Sequence, residues 1–204
     1  ILYSHLYDGI KSIYDESKMV FSQQTTKSVL TIFRLFLEKI PIWNNSIIES
    51  ETYRIIESSK CDWLDDLITA VFISHTKILT SIGPNSNNIK IDLTIPKTIN
   101  FIHKCYINLA REIWKNPYLF DDNIKGHEYQ KNINTIEIII KESIETTIRK
   151  LLPIKDILKT HLLTYDNENN EEIKKISEDL EIKKLLLQEI KNLKNQNYKN
   201  QNND

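Results

Sequence analysis

The sequence predicts an all-α protein: an irregular multi-helix bundle of about six or seven helices with a C-terminal tail that is helical or disordered. The 204 residues include only three glycines and five prolines. Few glycines leave few tight turns, which argues against a β-sandwich. Long segments repeat apolar residues every three or four positions, the spacing of one helix face. We expect a bundle domain over residues 1–164, and a polar linker, amphipathic helix and disordered asparagine-rich end over 165–204.

Three helices are predicted in the first 60 residues. The first spans about Leu2 to Glu16. The second ends at Pro41, because proline lacks an amide hydrogen. The third begins at Asn44 or Asn45, whose side chains can cap a helix. The expected apolar faces are Leu2, Leu6, Ile10 and Ile13; Val29, Leu30, Ile32, Phe33, Phe36, Leu37 and Ile40; and Ile47, Ile48, Ile55 and Ile56.

The fourth and fifth helices flank a connector. Gly83-Pro84 should end the fourth helix, and Pro96 should lie in the first turn of the fifth. Between them, alternating apolar residues favour an extended connector, with a two-stranded ribbon as the alternative. In the fourth helix one apolar row is Trp63, Leu67, Val71, Ile78 and Ile82, and Leu64, Ile68, Phe72 and Leu79 lie beside it. In the fifth, the expected buried row is Ile99, Ile102, Tyr106, Leu109 and Ile113.

The longest predicted helix runs from Glu128 to Pro153 and should anchor the bundle, followed by a short partner helix to Leu163. Its expected apolar stripe is Ile133, Ile136, Ile140, Ile144, Ile148 and Leu151. A polar linker follows at Asp166–Asn170. Beyond it, a heptad pattern interrupted at Lys183 predicts a weak coiled coil at best.

Charge and cysteine content narrow the functional classes. Lys and Arg number 27 against 28 Asp and Glu, a formal net charge of -1, without the basic surplus usual in nucleic-acid-binding domains. The two cysteines are too few for a disulfide framework and predict reduced thiols in an intracellular protein. No apolar run approaches the roughly 20 residues of a membrane span, and no signal peptide is recognisable. The start at Ile1, without methionine, predicts a piece of a longer polypeptide.

Two groups of residues could in principle bind a metal. Asp62, Asp65 and Asp66 could act as ligands or as an acid–base pair, but acidic residues are also typical of a helix's first turn, which is the favoured interpretation. Cys61, His75, His103 and Cys105 are zinc-binding residue types. Positions two apart point in different directions on a helix and no Cys-x-x-Cys is present, so buried thiols and core histidines are favoured.

Common catalytic motifs are missing from the sequence. His127-Glu128 lacks the second histidine of a zinc protease, because Lys131 stands at that position. Three glycines are too few for the usual nucleotide-binding loops. We therefore predict no catalytic residue, no cofactor, no metal ligand and no enzymatic activity.

Two segments are candidate contact surfaces. Trp114, Tyr118, Leu119 and Phe120 form an aromatic segment. Such residues anchor protein partners or belong to the domain's own core, and the core is the favoured alternative.

The second candidate surface is a basic patch of Arg149, Lys150, Lys155 and Lys159, close to His161 in sequence. It could contact phosphate groups. However, Arg and Lys are also common at helix C-termini, which is the favoured interpretation.

Three phrases resemble a helical family of unknown biochemical function encoded by nucleocytoplasmic large DNA viruses, the giant-virus group. They are Ile40-Pro41-Ile42-Trp43-Asn44, Cys61-Asp62-Trp63-Leu64-Asp65-Asp66-Leu67 and Arg149-Lys150-Leu151-Leu152-Pro153-Ile154-Lys155-Asp156-Ile157-Leu158. The resemblance covers about Leu2 to Leu163. It implies a viral protein, a virion or minor-capsid component located in the virion or the host cytoplasm, and it supplies no functional residues.

We therefore expect a non-enzymatic structural or scaffolding domain of a viral protein that acts through protein–protein contacts, with other virion proteins among its partners. The alternative is a nucleic-acid-associated or regulatory module of a larger viral protein whose catalytic part lies elsewhere. Balanced charge argues against nucleic acid as the main partner. The sequence makes no prediction of oligomeric state.

Overall fold

A computed structural model describes residues 2–23, 28–81, 93–159 and 179–184. The described residues are mainly helical and contain no strand, which confirms the all-α prediction. The helices are α1 (Leu2–Gln23), α2 (Val29–Leu37), α3 (Asn45–Ser59), α4 (Leu64–Thr80), α5 (Thr98–Lys115) and α6 (His127–Leu151), with 3₁₀ turns at Ile40–Ile42 and Pro117–Phe120. Residues 154–159 and 179–184 are also helical.

The chain divides into two compact units. One comprises Ile1–Leu79 and Asp92–Ile154, and the other comprises Thr80–Ile91 and Lys155–Asp204. The expected division between residues 164 and 165 lies outside the described residues and stays a prediction. Gly83-Pro84, most of the alternating connector, the polar linker from Asp166 and most of the heptad pattern also lie outside them.

Helix α1 is longer than predicted. The periodicity of its apolar residues weakens after Glu16, yet the helix continues to Gln23. Its buried face also continues, through Tyr14 and Ser17. The Ser17 hydroxyl donates a hydrogen bond to the Ile13 carbonyl at 2.8 Å. Ser17 can therefore be buried in the helix without leaving its hydroxyl unpaired.

The helix end and the helix cap predicted between α2 and α3 agree in part with the structure. Helix α2 ends at Leu37, four residues before the predicted end at Pro41, and Pro41 lies inside the first 3₁₀ turn. The Asn44 side chain accepts a hydrogen bond from the Ile47 amide at 2.9 Å, which confirms the predicted cap of α3. Helix α3 ends at Lys60, whose φ of 53° places it in the left-handed region.

Helix α5 runs through the centre of the first unit and contacts α2, α3, α6 and both 3₁₀ turns. Four residues of its predicted row are buried; Ile99 is only half-buried. An aromatic cluster of Tyr14, Phe33 and Phe120 joins α1, α2 and the second 3₁₀ turn, with ring centroids 5.3 Å apart for Tyr14 and Phe33 and 5.5 Å apart for Phe33 and Phe120.

The predicted apolar faces of α4 and α6 agree only in part with the buried faces observed. In α4 the row that begins at Trp63 is not buried, since Trp63 and Ile78 are exposed. The buried residues of α4 are Leu64, Ile68, Phe72 and Thr76. In α6 they are Asn132, Ile136, Ile140, Ser143 and Thr147, while Ile133, Ile144 and Ile148 are only half-buried. Thr147 can occupy the α6 interface because its hydroxyl donates to the Ser143 carbonyl at 2.7 Å, whereas the buried Ser143 hydroxyl has no hydrogen-bond partner among the described residues.

Within the described parts of the chain, none of the helices has both the length and the apolar character required to cross a bilayer.

Candidate functional site

An apolar groove opens on the surface between the end of α2, the first 3₁₀ turn and the last turns of α5. Its volume is about 470 Å³. We call it the Trp114 groove; its lining residues are Leu37, Glu38, Pro41, Ile107, Ala110, Arg111, Glu112, Trp114 and Lys115. Ile107, Ala110 and Trp114 are three and four residues apart, so α5 presents them on one face. Leu37 and Pro41 form the opposite wall.

The Trp114 side chain is held in place from two directions. Its indole Nε1 donates a hydrogen bond to the Glu38 carboxylate at 2.8 Å. The Arg34 guanidinium lies 3.8 Å from the centroid of the indole ring, a cation–π contact. Both partners come from α2 or the residue following it. The groove wall is therefore ordered before any ligand arrives, which lowers the entropic cost of binding.

Apolar surface continues beside the groove on the first 3₁₀ turn. Pro41 is exposed, and the Ile42 side chain is 80% exposed. The turn is tied to α5 by His103, whose Nε2 donates to the Ile40 carbonyl at 2.9 Å. The His103 ring also stacks on Trp43, with centroids 6.2 Å apart. A firmly held, exposed aliphatic residue next to an apolar groove is typical of a protein contact surface.

The rim of the groove on α5 is charged. Glu112 and Lys115 form an ion pair at 2.8 Å. Arg111 is exposed and has no ion pair among the residues that the structure describes. One turn earlier, Asn108 accepts a hydrogen bond from the Lys150 ammonium at 3.0 Å and donates to Thr147 at 2.7 Å. A side chain of α6 thus reaches the same face of α5.

The aromatic segment predicted from sequence divides between groove and core. Trp114 lines the groove. Leu119 and Phe120 are each only 4% exposed, so both adopt the core alternative and offer little surface to a partner. Tyr118 is 51% exposed. A partner contact through Trp114 and Tyr118 stays a prediction.

The residues of the predicted basic patch belong to different units. Arg149 forms an ion pair with Glu145 at 2.9 Å, and Lys150 bonds to Asn108. Lys155 and Lys159 are exposed and belong to the other unit, which begins again at Lys155. His161 lies outside the described residues. Binding of phosphate groups by this patch stays a prediction.

The structure does not bring the candidate metal ligands together into one site within the described residues. Asp65 accepts a hydrogen bond from the Thr98 hydroxyl at the start of α5. Cys61 and Cys105 are both buried, free thiols. His75, expected on an apolar stripe, is exposed, and its Nδ1 bonds to the Val71 carbonyl at 2.9 Å. Across residues 2–23, 28–81, 93–159 and 179–184, no three His, Cys, Asp or Glu side chains are grouped so that they could hold a metal ion.

A partly buried polar cluster that the sequence analysis did not find joins α1, α3 and α5. The Arg54 guanidinium donates to both carboxylate oxygens of Glu51, at 2.8 and 2.6 Å, and to the His5 carbonyl at 2.7 Å. The hydroxyl of Tyr106, a fully buried residue, donates to Glu51. Burial, and then the Glu51 charge, raise the pKa of Tyr106 above its ordinary value. The cluster satisfies its own polar groups, and we assign it a role in stability.

We expect Tyr7, which is half-buried, and Tyr106, which is fully buried, to lower the free energy of unfolding when the pH becomes alkaline. Burial, with a smaller contribution from Tyr129, raises the pKa of Tyr7 from 10.0 to about 12. A raised folded-state pKa means that the unfolded chain loses its protons first as the pH rises. The stabilising contribution of Tyr7 is therefore fully present below about pH 10 and is lost as pH rises towards about 12. The pKa of Tyr106 is also raised, so its contribution likewise begins to fall above about pH 10.

The measurement is urea unfolding across that pH range for the natural protein and for Tyr106→Phe. Tyr106→Phe should have a lower free energy of unfolding near neutral pH but a smaller further loss above pH 10, because its buried ring has no proton to release. Equal losses in the two proteins would contradict the prediction.

The sequence contained a partial signal for the groove. Ile107, Ala110 and Trp114 form a second apolar row on α5, next to the predicted one. That row could have been recognised as a second contact face. By contrast, the meeting of Lys150 with Asn108, and of Tyr106 with Glu51, leaves no local pattern, because these pairs are 42 and 55 residues apart.

The fold and the groove define an all-α domain with an apolar surface groove and a charged rim. The chain belongs to a family of unknown function (DUF5764), whose model matches residues 1–121. The match contains every residue that lines the groove and ends before α6. No curated protein and no solved structure matches the chain.

Proposed function

We propose that this chain is a non-enzymatic structural or scaffolding domain of a viral protein, and that it acts by binding another protein at the Trp114 groove. The groove is the single observation on which the proposed contact depends. The viral source, with a location in the virion or host cytoplasm and other virion proteins as partners, is supported by the resemblance of the three phrases described above.

The chemistry of the groove favours a protein anchor over a small polar ligand. Its floor and walls are mainly aliphatic and aromatic. Several polar groups at the rim already bind one another: Glu112 pairs with Lys115, and Glu38 accepts from Trp114. Small-molecule sites typically add several convergent polar groups to an apolar pocket. An apolar side chain from a partner helix or loop would fill the groove without displacing these bonds.

Removing the Trp114 side chain should weaken partner binding strongly. Tryptophan at a contact centre often contributes 2 kcal/mol or more, so we expect Trp114→Ala to raise Kd by about 30-fold or more. The partner is first identified by affinity capture of the full-length protein from cells that produce it. Kd is then measured with purified components by calorimetry.

The matched control is Trp63→Ala, which removes the same side chain from an exposed position at the start of α4. We expect it to change Kd less than about twofold. Circular dichroism and urea unfolding check that both variants are folded. Equal binding by Trp114→Ala and the natural protein would contradict the proposed contact.

A further inference from the structure

The charges beside the Trp114 groove point to the chemistry of its occupant. We infer that the groove binds an acidic amphipathic segment of a partner protein, with an apolar side chain in the groove and carboxylates on Lys104, Arg111 and Lys150. This inference rests on the proposed function, because it specifies the partner of the same groove.

On the outer face of α5, two cations lie one turn before and one turn after Asn108, and a third cation, from α6, contacts the Asn108 amide. Lys104 precedes Asn108 by four residues and Arg111 follows it by three, so all three side chains share one helix face. The Lys150 ammonium arrives from α6 and lies 3.0 Å from the Asn108 Oδ1. Asn108 is fixed in turn by its bond to Thr147 at 2.7 Å. We call Lys104, Arg111 and Lys150 the basic rim.

The basic rim has no carboxylate of its own. Neither Lys104, Arg111 nor Lys150 forms an ion pair with any of the residues that the structure describes. The nearby acids have other partners: Glu112 pairs with Lys115 at 2.8 Å, and Glu145 pairs with Arg149 at 2.9 Å. Glu38, across the groove, accepts from the Trp114 indole.

Cations without an ion-pair partner attract a carboxylate of an approaching ligand, and such complementarity favours binding of the correct partner. The rim is therefore complementary to a negatively charged ligand. Arg111 belongs both to the rim and to the groove lining. An occupant that reaches Arg111 can thus place an apolar side chain in the groove and a carboxylate on the rim at once.

A protein segment fits these observations better than a nucleic acid does. A nucleic-acid backbone presents phosphates and has no need of an apolar groove, whereas an amphipathic segment uses both surfaces. The basic rim is also small, and the whole chain carries a formal net charge of -1. Duplex DNA is therefore the competing probe in the binding experiment.

The experiment is a selection of random displayed peptides on the full chain at low salt, followed by Kd measurements with the enriched peptides. We expect enriched peptides to carry Asp or Glu within one helical turn of Leu, Phe or Trp. The Arg111→Glu/Lys150→Glu variant should weaken their binding by at least about tenfold, and raising the salt should weaken binding to the natural protein.

The matched control reverses two exposed lysines elsewhere, Lys125→Glu/Lys131→Glu, and should change Kd less than about twofold. Arg111→Gln/Lys150→Gln provides a milder test should the charge reversal disturb folding, and an intermediate loss of affinity is expected. Exchanging Asp or Glu of a peptide for Lys should reverse its preference, so that it binds Arg111→Glu/Lys150→Glu more tightly than the natural protein.

The outcomes separate the two proposals. Peptides that require Trp114 but show no acidic bias and no effect of charge reversal would overturn the inference and leave the proposed function standing. If no enriched peptide depended on Trp114, the proposed function would fail. Tight, salt-sensitive binding of a short duplex DNA that is lost in Arg111→Glu/Lys150→Glu, with no acidic peptide enriched, would replace the inferred partner with a nucleic acid.

Discussion

Replacing Phe33 with alanine should lower the free energy of unfolding by about 3–5 kcal/mol, the usual range for deleting a fully buried aromatic side chain. Phe33 has no exposed surface. Its ring meets Tyr14 of α1 edge-on, with centroids 5.3 Å apart, and lies 5.5 Å from the ring of Phe120 in the second 3₁₀ turn. The substitution leaves a cavity where three elements join, and urea unfolding followed by circular dichroism measures the loss.

Phe21→Ala is the matched control, because it removes the same side chain from an exposed position near the end of α1. We expect it to change the free energy of unfolding by less than about 0.5 kcal/mol. A loss for Phe33→Ala no greater than that for Phe21→Ala would show that the aromatic cluster is not a centre of the core.

Gly9→Ala should also be strongly destabilising, by about 1–3 kcal/mol. A Cβ added at Gly9 would clash with the Tyr106 hydroxyl oxygen and would lie 2.8 Å from a Glu51 carboxylate oxygen. Tyr106 is fully buried and cannot swing aside into solvent. Helix α1 therefore has to move away from α3 and α5, and the polar cluster loses hydrogen bonds as it does so.

A double-mutant cycle tests whether the clash is the cause. Removing the hydroxyl in Tyr106→Phe should reduce the cost of Gly9→Ala, because the nearest atom is gone; part of the cost should remain, since the ring carbon Cζ lies 2.9 Å from the same position. Ser12→Ala, at an exposed position of α1, should have little effect on unfolding. Additive losses in the cycle would be evidence against the close approach.

Phe33→Ala and Gly9→Ala change the packing between helices, whereas the substitutions in the binding tests change the surface. Gly9, Phe33 and Tyr106 are not among the residues that line the Trp114 groove. Binding and stability can therefore be measured on different variants.

Periodicity and capping, read from the sequence alone, determined the helical character of the chain and several of its boundaries. Asn44 or Asn45 was predicted as a cap from residue type and position, and the bond that selects Asn44, to the Ile47 amide, is local in the chain. Most of the buried row of α5 also followed from spacing, since Ile102, Tyr106, Leu109 and Ile113 recur every three or four residues. These features depend on neighbours a few residues away, which a sequence displays directly.

Only the tertiary structure decided which face was buried where a helix offers two. In α4 the rows headed by Trp63 and by Leu64 are similarly apolar, and the packing neighbours select the second. In α6, Thr147 is buried because Asn108 of α5 supplies its hydrogen-bond partner. The Trp114 groove and the basic rim likewise combine residues that are distant in sequence. Periodicity ranks the faces of one helix, but the free energy of burial depends on which side chains the other helices bring to meet it.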